Sequence, residues 1–416
     1  MAFPHRPGSG QSEEILNLNE ATRQFIREHL NDDVPALALK KAPVGTDLSL
    51  ALQQIEARQL LRKKAPEWSA NEELLFPPHL SIEQSSSEAT AKYKAKLLKG
   101  KTFADLTGGL GIDTHYLSQG FEKSDYVERQ TELCELARHN FQVLNDAITV
   151  WNETAEDYLK HCAPADCLYI DPARRDLHGR KTVAIADCTP DVTTLQELLL
   201  QKAPTVLVKL SPMLDITQAL TALHYVKDIH ILAVANECKE LVFHLERGFS
   251  GPTVQHCIAL QSNQPAMHFT PEEEQACPLR LADQVEAYLF EPNAALLKAG
   301  CFKLPAERFG VLKLHKNSHL YTSDHWIPDF PGRSFIVEGW APYNKRVHQN
   351  LFPDLDKANL TVRNFPLSVD ELRKALKISE GGESYLFATT LKNGEKVLIR
   401  TKKAASQEAA HTKKHK

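Results

Sequence analysis

The fold of this chain is decided by the stretch Phe103-Ala104-Asp105-Leu106-Thr107-Gly108-Gly109-Leu110-Gly111-Ile112-Asp113. An apolar run ends at its first carboxylate, and a helical pattern starts near its last. Glycines between a strand and a helix let the backbone turn with positive φ and approach a ligand closely. The stretch therefore predicts a strand–turn–helix unit with a ligand site at the turn.

Short β-like runs alternate with helical patterns on both sides of this turn. The predicted strands are Thr102–Leu106, Ser124–Glu128, Ile148–Trp151, Cys167–Ile170, Thr205–Lys209 and Ile229–Ala235. The predicted helices between them are Asp113–Gln119, Gln130–Leu144, Asp191–Lys202 and Met213–Leu223. Repeated βα units predict an α/β fold, with a Rossmann-like, doubly wound parallel sheet and helices on both faces.

A chain of 416 residues is too long for one core. The predicted regions are a helical N-terminal part (1–75), the α/β domain (76–264), two small α+β domains (275–329 and 332–404) and a basic, disordered tail (405–416). Asn393-Gly394 predicts a two-residue hairpin turn in the second α+β domain.

Composition narrows the class of protein. The eight cysteines form no CxxC pair and lie in apolar runs, which is typical of reduced thiols and argues against structural zinc. No apolar run is long enough to span a membrane, and the N-terminus lacks the pattern of a secretory signal. We expect a cytoplasmic protein without a metal, a membrane partner or an obligate protein partner.

Charge at the glycine turn distinguishes between nucleotide cofactors. A dinucleotide site favours the spacing G-x-G-x-x-G, which this turn lacks, and Asp105 would repel a pyrophosphate. A carboxylate suits the ammonium and sulfonium groups of S-adenosylmethionine (SAM), and Glu128, at the end of the next strand, can accept from both ribose hydroxyls. The predicted cofactor-binding residues are Asp105, Thr107, Gly108, Gly109, Gly111, Asp113, Glu128, Arg129, Thr154 and Ala155. The alternative is a plain glycine-rich loop with helix-capping acids.

A second turn follows the fourth predicted strand, where Asp171-Pro172 ends an apolar run at the sheet edge at which ligands bind. It resembles the Asn/Asp-Pro-Pro-aromatic turn of amino-methyltransferases, except that Ala173 and Arg174 replace the second proline and the aromatic residue. The resemblance implies that the carboxylate orients a target amine. The predicted catalytic residues are Asp171, Pro172 and Arg174. The arginines at 174 and 175 could support a base, hold a phosphate, or pair with a nearby acid.

Polar residues after later strands complete the predicted site. The predicted substrate-binding residues are Arg175, Lys209, Ser211, Pro212 and Asn236. Alternatively, Ser211 and Pro212 form the N-cap and first position of a helix. Residues 236–240 form either a second wall of the pocket or a plain loop. Glu83, Gln84, Ser86 and Thr90 either close over the cofactor or form a capping box.

These segments together resemble the bacterial class I SAM methyltransferases with a THUMP-like C-terminal domain. The resemblance is carried by residues 80–91, 105–113, 171–176, 209–215, 236–241 and 291–294. It implies a ferredoxin-like and a THUMP-like domain after the α/β domain, and rRNA or tRNA as substrate. The glycine turn is also similar to that of guanine-N2 rRNA methyltransferases.

Two other functions remain open from the sequence. One is an RNA-binding protein with an inactive methyltransferase core, and the other is a nicotinamide-dependent oxidoreductase, which Asp105 and the glycine spacing disfavour. Phosphate contacts are predicted for Lys313, Lys316, Lys345, Arg346, Arg363 and the basic tail.

Overall fold

The computed structural model describes residues 18–174, 185–344 and 355–404, with the side chains of residues 79–81 and 174 left out. Arg175, Lys345, Arg346 and the basic tail therefore lie outside the described residues. The chain divides into two compact units, of which the first ends at Asp228 and also contains Glu240–Gly251. Ile229–Lys239 and the chain from Pro252 onward make up the second unit. No helix in the described ranges is long and apolar enough to cross a membrane.

The first unit begins with a helical part that continues past residue 75, where the predicted helical region ends. Its helices are α1 (Glu20–His29), α2 (Val34–Ala38), α3 (Leu48–Lys64), α4 (Pro66–Ala70), α5 (His79–Gln84) and α6 (Glu88–Ala95). Asn19, Asp33, Asp47 and Ser87 each cap a helix with a side-chain oxygen, which satisfies backbone donors that have no intrahelical partner. Arg58 lies inside this part, where its guanidinium donates to four backbone carbonyls.

The α/β domain follows with strands and helices in alternation. Its strands are β1 (Thr102–Asp105), β2 (Lys123–Val127), β3 (Ile148–Trp151), β4 (Cys167–Ile170), β5 (Ala173–Arg174), β6 (Cys188–Thr189), β7 (Thr205–Leu210), β8 (Val226–Val234), β9 (Glu237–Glu246), β10 (Val254–Leu260) and β11 (Met267–Phe269). Its helices are α7 (Ile112–Ser118), α8 (Thr131–Leu144), α9 (Ala155–His161), α10 (Val192–Lys202), α11 (Ile216–Ala222) and α12 (Pro271–Ala276).

Hydrogen bonding orders the larger sheet as β11-β10-β8-β9-β7-β4-β1-β2-β3. Strands β7, β4, β1, β2 and β3 run parallel, and β9 is antiparallel to β7. The chain moves from β1 toward β3 on one side and returns to β4 and β7 on the other. This reversal between β1 and β4 is the topological switch point of a doubly wound sheet.

The six predicted strands and four predicted helices are confirmed, and their ends agree to within three residues. Strands β5, β6, β9, β10 and β11 were not predicted. The first residues of β9, Glu237–Glu240, are mostly polar and were interpreted as a loop or a pocket wall. The structure shows instead that Ala235 and Asn236, both with positive φ, form the tight turn that leads from β8 into β9.

The second unit contains a seven-stranded sheet in the order β13-β14-β12-β15-β18-β17-β16. Its elements are β12 (Tyr288–Pro292), α13 (Ala294–Ala299), α14 (Leu304–Arg308), β13 (Leu312–Lys313), β14 (Tyr321–Ser323), β15 (Gly332–Pro342), β16 (Asn359–Val362), α15 (Val369–Leu376), β17 (Ser384–Thr390) and β18 (Lys396–Lys403). The two predicted α+β segments thus share one sheet, because β12 pairs with β15. The predicted hairpin is confirmed as β17 and β18, but its turn is longer than the two residues predicted. The N–H of Leu391 donates to the carbonyl of Glu395 at 2.9 Å, so three residues lie between this pair, with Gly394 at φ +87°.

Two basic residues predicted to contact phosphate have other partners in this unit. Lys313 is only 1% exposed, and its amine donates to the carbonyl of Lys316 at 2.9 Å. A phosphate cannot reach it there, so that prediction is wrong for Lys313. Arg363 is partly exposed and donates to the carboxylate of Glu291.

Candidate functional site

The predicted site residues of the first unit meet at the carboxyl ends of β1, β2 and β4. The turns after β1 and β4 are joined directly, because the backbone N–H of Asp171 donates to the hydroxyl of Thr107 at 2.6 Å. The N–H of Leu106 also donates to the carbonyl of Tyr169 at 2.9 Å. In doubly wound sheets, ligands bind outside the strand ends at this switch point. The geometry therefore brings the predicted cofactor turn and the predicted reaction turn together.

The glycine turn is shaped by close packing as well as by backbone freedom. Gly109 and Gly111 have φ of +54° and +88°, a region that side chains disfavour. A Cβ added to Gly108 would lie 2.1 Å from Cε2 of Tyr126. The hydroxyl of Tyr126 donates to the carbonyl of Gly109 at 2.7 Å. The ring beneath the turn thus requires Gly108 and fixes the path of the backbone over it.

Asp105, the acid at the tip of β1, lies inside the turn. Its carboxylate accepts from the N–H of Thr107 at 2.9 Å and from the hydroxyl of Thr114 at 2.6 Å. The side chain is fully buried, and this burial raises its pKa to about 7 against the two hydrogen bonds that favour the charged form. Asp105 therefore holds the turn to helix α7, a role that the sequence did not suggest.

Glu128 follows β2, as predicted, and is 8% exposed. One oxygen accepts from the N–H of Gly109 at 3.1 Å, and the other accepts from the N–H of Gln130 at 2.9 Å. The carboxylate therefore connects the glycine turn to the start of α8. The neighbouring side chain of Arg129 is exposed.

Thr154 and Ala155 lie after β3, at the same edge of the sheet. The hydroxyl of Thr154 caps α9 by accepting from the N–H of Asp157 at 3.1 Å, and Ala155 is buried in the first turn of that helix. Thr154 thus has a structural role as a cap. A contact of either residue with a cofactor stays a prediction.

Asp113 opens α7 and belongs to a buried charged cluster. Its Oδ2 accepts from the hydroxyls of Ser86 and Tyr169, both at 2.6 Å, and its Oδ1 lies 2.9 Å from Nζ of Lys94. Burial alone would raise the pKa of Asp113, but the amines of Lys94 and Lys209 hold it well below its usual value. Asp113 is therefore an ionised anchor between the helical part and the sheet.

The reaction turn contains an ion pair that links two predicted site residues. Nζ of Lys209, at the end of β7, pairs with Oδ2 of Asp171. The Asp171 side chain is 29% exposed, whereas that of Lys209 is 9% exposed. Burial raises the pKa of Asp171, and the neighbouring amine opposes this rise. Burial also opposes the charge of Lys209, but the carboxylates around it outweigh that effect and raise its pKa.

Four other predicted residues lie in the reaction turn and in the loop after β7, namely Pro172, Arg174, Ser211 and Pro212. Pro172 is buried, and the backbone of Arg174 lies in β5, which pairs with β6. The hydroxyl of Ser211 accepts from the N–H of Met213 at 3.3 Å, and Pro212 lies between them. The following helix starts at Ile216 and is capped by Asp215. The alternative interpretation of Ser211 as the helix N-cap is therefore wrong.

Asn236 belongs to the second unit. It is exposed, has φ of +60°, and its side-chain oxygen accepts from the N–H of Ala294 at 3.1 Å. This bond connects the turn before β9 to the start of α13. A contact of Asn236 with substrate stays a prediction.

The serine-rich segment before α6 separates into capping and site residues. Ser87 is the helix cap and accepts from the N–H of Thr90 at 3.2 Å. The hydroxyl of Ser86 instead contacts Asp113, Lys94 and Lys209. Glu83 and Gln84 are exposed.

The pairing of two charged members of the buried cluster, Lys94 and Glu240, was not predicted from the sequence, which singled out only Glu240, as part of a possible pocket wall or loop. Lys94 is 0% exposed, and its Nζ lies 2.7 Å from Oε2 of Glu240. Lysine and glutamate are mostly found at protein surfaces, so a single sequence offers no signal for such a pair.

Comparisons with known proteins identify similar domains and a similar full-length structure. A family described as a ferredoxin-like domain matches residues 288–331, and one described as THUMP domain-like matches residues 332–403. A crystal structure from Porphyromonas gingivalis W83, described as a candidate methyltransferase, is 36% identical, covers 94% of this chain and 99% of its own, and gives a TM-score of 0.82. No protein of curated function matches the sequence.

More distant structures match a smaller share of the chain. A candidate methyltransferase from Streptococcus mutans, solved in complex with SAH, is 14% identical over 38% of this chain and 96% of its own, with a TM-score of 0.28. The tRNA (uracil-54, C5)-methyltransferase of Pyrococcus abyssi, also solved with SAH, is 18% identical over 41% of each chain, with a TM-score of 0.31.

Proposed function

Because this chain belongs to the class I methyltransferase family with ferredoxin-like and THUMP-like C-terminal domains, we propose that it transfers the methyl group of SAM to a base of structured RNA. The observation that carries the proposal is the hydrogen bond from the N–H of Asp171 to the hydroxyl of Thr107. It joins an Asp-Pro turn to a glycine turn at the switch point of the sheet, so that a cofactor and a target amine would meet there.

The charges of the site fit SAM. The segment Asp105–Asp113 contains no lysine or arginine, and the carboxylates of Glu128 and Asp171 follow β2 and β4. Such a turn suits a cationic nucleoside better than a pyrophosphate. Glu128 is the residue that would accept from the ribose hydroxyls, and the turn around Gly109 would lie along the methionyl part. When bound, SAM supplies a methyl carbon that is open to in-line displacement.

The residues of the chain then position the acceptor. Lys209 holds Oδ2 of Asp171, and Oδ1 is the atom that would accept a hydrogen bond from an exocyclic amine. This contact orients the nitrogen lone pair toward the methyl group, and no covalent nucleophile is needed. Guanine N2 is an amine of this kind. Asp171 and Pro172 are the residues to which we assign catalysis, together with Arg174 as support for the base.

Substitution of Asp171 tests the proposal. We expect Asp171→Ala to abolish methyl transfer to RNA while calorimetric binding of SAM survives. The control is Asp191→Ala, which removes only the cap of α10 and should retain activity. Nucleoside mass spectrometry of RNA from a deletion strain identifies the missing modification and supplies the substrate. Unchanged transfer by Asp171→Ala, or saturable binding of NAD without binding of SAM, would refute the assignment.

The THUMP-like match at residues 332–403 supports RNA as the substrate class. An RNA-binding enzyme releases counterions when it binds, so affinity should fall steeply with salt. A titration between about 50 and 200 mM salt measures this slope. A flat response would point to a protein or a small molecule as the acceptor.

A further inference from the structure

One hydroxyl in the first unit lies between the cofactor side and the reaction side of the site. Ser86 donates to Oδ2 of Asp113 at 2.6 Å and accepts from Nζ of Lys94 at 2.9 Å and from Nζ of Lys209 at 3.0 Å. A serine hydroxyl has one donor and two acceptor positions, so these three contacts use its full capacity. Ser86 is 5% exposed, and water has little access to replace any of the three.

Local sequence explains why this hydroxyl is available. Ser87 provides the N-cap of α6, so the serine before it is not needed for capping. Glu88 is engaged elsewhere, because its carboxylate accepts from the N–H groups of Glu67 and Trp68 at the start of α4. The segment is thus held on both sides, and Ser86 has a fixed position above Asp113.

Lys94 balances the charge of the same cluster. Its amine lies between Asp113, at 2.9 Å, and Glu240, at 2.7 Å. Lys209 provides the second positive charge and pairs with Asp171. Each lysine therefore has a carboxylate partner, and the two amines share the hydroxyl of Ser86.

We propose that Ser86 and Lys94 are positioning residues for methyl transfer, which hold the amine of Lys209 against Asp171 and so fix the orientation of its carboxylate. The inference rests on the proposed role of Asp171. A lysine ammonium is a point charge on a flexible stem, so a single ion pair does not define its direction. The bond to Ser86 provides a second anchor, and Lys94 keeps Asp113 ionised as the acceptor of the Ser86 proton.

Ser86→Ala is the variant that tests this role with least disturbance of the fold. We expect kcat to fall on the order of 10- to 100-fold, because a small misplacement of a catalytic group has effects of this size. The KM for SAM should change by less than about three-fold, since the hydrogen bonds that hold Gly109 and Glu128, the residues to which we assign SAM, do not involve Ser86. Ser86→Thr keeps the hydroxyl and should recover most of the rate. Ser85→Ala is the matched control, because that hydroxyl donates only to the carbonyl of Ile82 among its described contacts.

A second measurement does not depend on activity. The Asp171 carboxyl carbon can be titrated by NMR in the intact chain, with Asp171→Asn used for assignment. We expect its pKa to be higher in Ser86→Ala and in Lys94→Arg than in the wild type, because the Lys209 amine is held less firmly beside it. The acidic limb of the pH–rate profile should move in the same direction.

The two measurements separate the possible failures. If the wild type methylates no RNA but the titration of Asp171 shifts as expected, the positioning role stands and the proposed function is wrong. If the wild type is active and Ser86→Ala changes neither kcat nor the titration, the positioning role is wrong. The inference is also overturned if Ser86→Ala lowers kcat only because the variant is less stable. That outcome would appear as a lower melting temperature together with an unchanged pH–rate profile.

Discussion

The ring of Tyr126 lies directly beneath Gly108, so that a Cβ on this glycine would be 2.1 Å from Cε2 of the ring. Tyr126 is 0% exposed and packs edge-on against Phe141, with ring centroids 5.5 Å apart, so it cannot move aside. We expect Gly108→Ala to lower the free energy of unfolding by about 1–3 kcal/mol through overpacking. Urea unfolding of the purified chain measures the loss.

A double variant identifies the cause of that loss. In a Tyr126→Ala background the added methyl group has space. Gly108→Ala should therefore lower the free energy of unfolding by less than it does in the wild type, and the two changes should show favourable coupling. Gly45→Ala is the control. Its φ is +87°, but its Cβ would be 3.8 Å from the nearest atom. The loss in free energy of unfolding from Gly45→Ala should therefore add to that from Tyr126→Ala without coupling. Strict additivity for Gly108 would contradict the steric explanation.

The carboxyl of Asp105 predicts a pH dependence of stability. Burial raises its pKa from 3.8 to about 7 in the folded chain. The folded state therefore keeps this proton while the unfolded state loses it, and the contribution to stability is present below pH 3.8 and is lost as the pH rises through about 7. At about 1.4 kcal/mol per pKa unit, the change is on the order of 4 kcal/mol. Asp105→Asn should remove this decline, as measured by urea unfolding across that range.

Asp166 provides a control of opposite sign. Backbone N–H groups of Lys101 and Thr102 donate to its carboxylate and lower its pKa. Its contribution to stability is present at higher pH and is lost as the pH falls through the lowered pKa. Asp166→Asn should therefore flatten the dependence of the free energy of unfolding on pH at acidic pH. Asp105→Asn should flatten it between pH 3.8 and about pH 7. Equal slopes for wild type and Asp105→Asn would exclude a buried, protonated Asp105.

Lys94 and Lys92 lie on the same helix but should respond differently to substitution. Lys94→Met leaves the carboxylates of Asp113 and Glu240 buried without their partner, and breaking a buried pair in this way costs about 3–5 kcal/mol. Lys92→Met is the matched control, because its side chain is 42% exposed and its amine pairs closely with Glu67 at the surface and only at 3.7 Å with Glu88. That change should cost at most about 1 kcal/mol.

Neutralising one of the stranded carboxylates should restore part of the loss. We expect Lys94→Met with Glu240→Gln to be more stable than Lys94→Met alone, since one uncompensated buried charge is removed. Thermal unfolding of the three variants provides the comparison. If Lys94→Met and Lys92→Met lower the free energy of unfolding by the same amount, the buried ion pairs of Lys94 do not stabilise the fold as described.

The sequence predicted the sheet well because its strands are apolar and its turns are marked by glycine and proline. The cluster behind the turns could not be predicted for a different reason. Ser86 and Ser87 are equivalent in the sequence, and only the position of α6 decides which one caps the helix and which contacts Asp113. Lys94 and Glu240 are far apart in the chain, and each alone resembles a surface residue.

Strand β9 was missed for a related reason. Its first residues are polar, so the local pattern indicated a loop, whereas its pairing with β7 is a long-range contact that no local pattern encodes. Lys313 was misjudged in the same way, because its amine is satisfied by the carbonyl of Lys316 inside the second unit. The first error arises because long-range backbone pairing overrides local polarity, and the second because folding buries a lysine whose amine is satisfied by a carbonyl three residues away.

Glu291 connects the ferredoxin-like and THUMP-like segments of the second unit. This carboxylate is 1% exposed and pairs with Arg333 on β15 and with Arg363 after β16. Glu291→Gln would leave two guanidinium groups without their shared anion, although both are about one-third exposed and keep some contact with water. We therefore expect a loss of about 1–3 kcal/mol, below that of a fully buried pair. Hydrogen exchange of peptides covering β12 and β15 should show faster opening.

Glu338 is the matched control on the same sheet. Its carboxylate pairs with Arg400 at 3.0 Å and Lys402 at 2.5 Å, but it is 23% exposed and pairs within the THUMP-like segment alone. Glu338→Gln should cost at most about 1 kcal/mol and leave exchange in β12 unchanged. Glu291 joins β12 to arginines of the THUMP-like segment. We therefore expect Glu291→Gln, but not Glu338→Gln, to accelerate hydrogen exchange in both β12 and β15. Faster exchange in β15 alone would show that β12 is held by its backbone ladder and not by this ion pair.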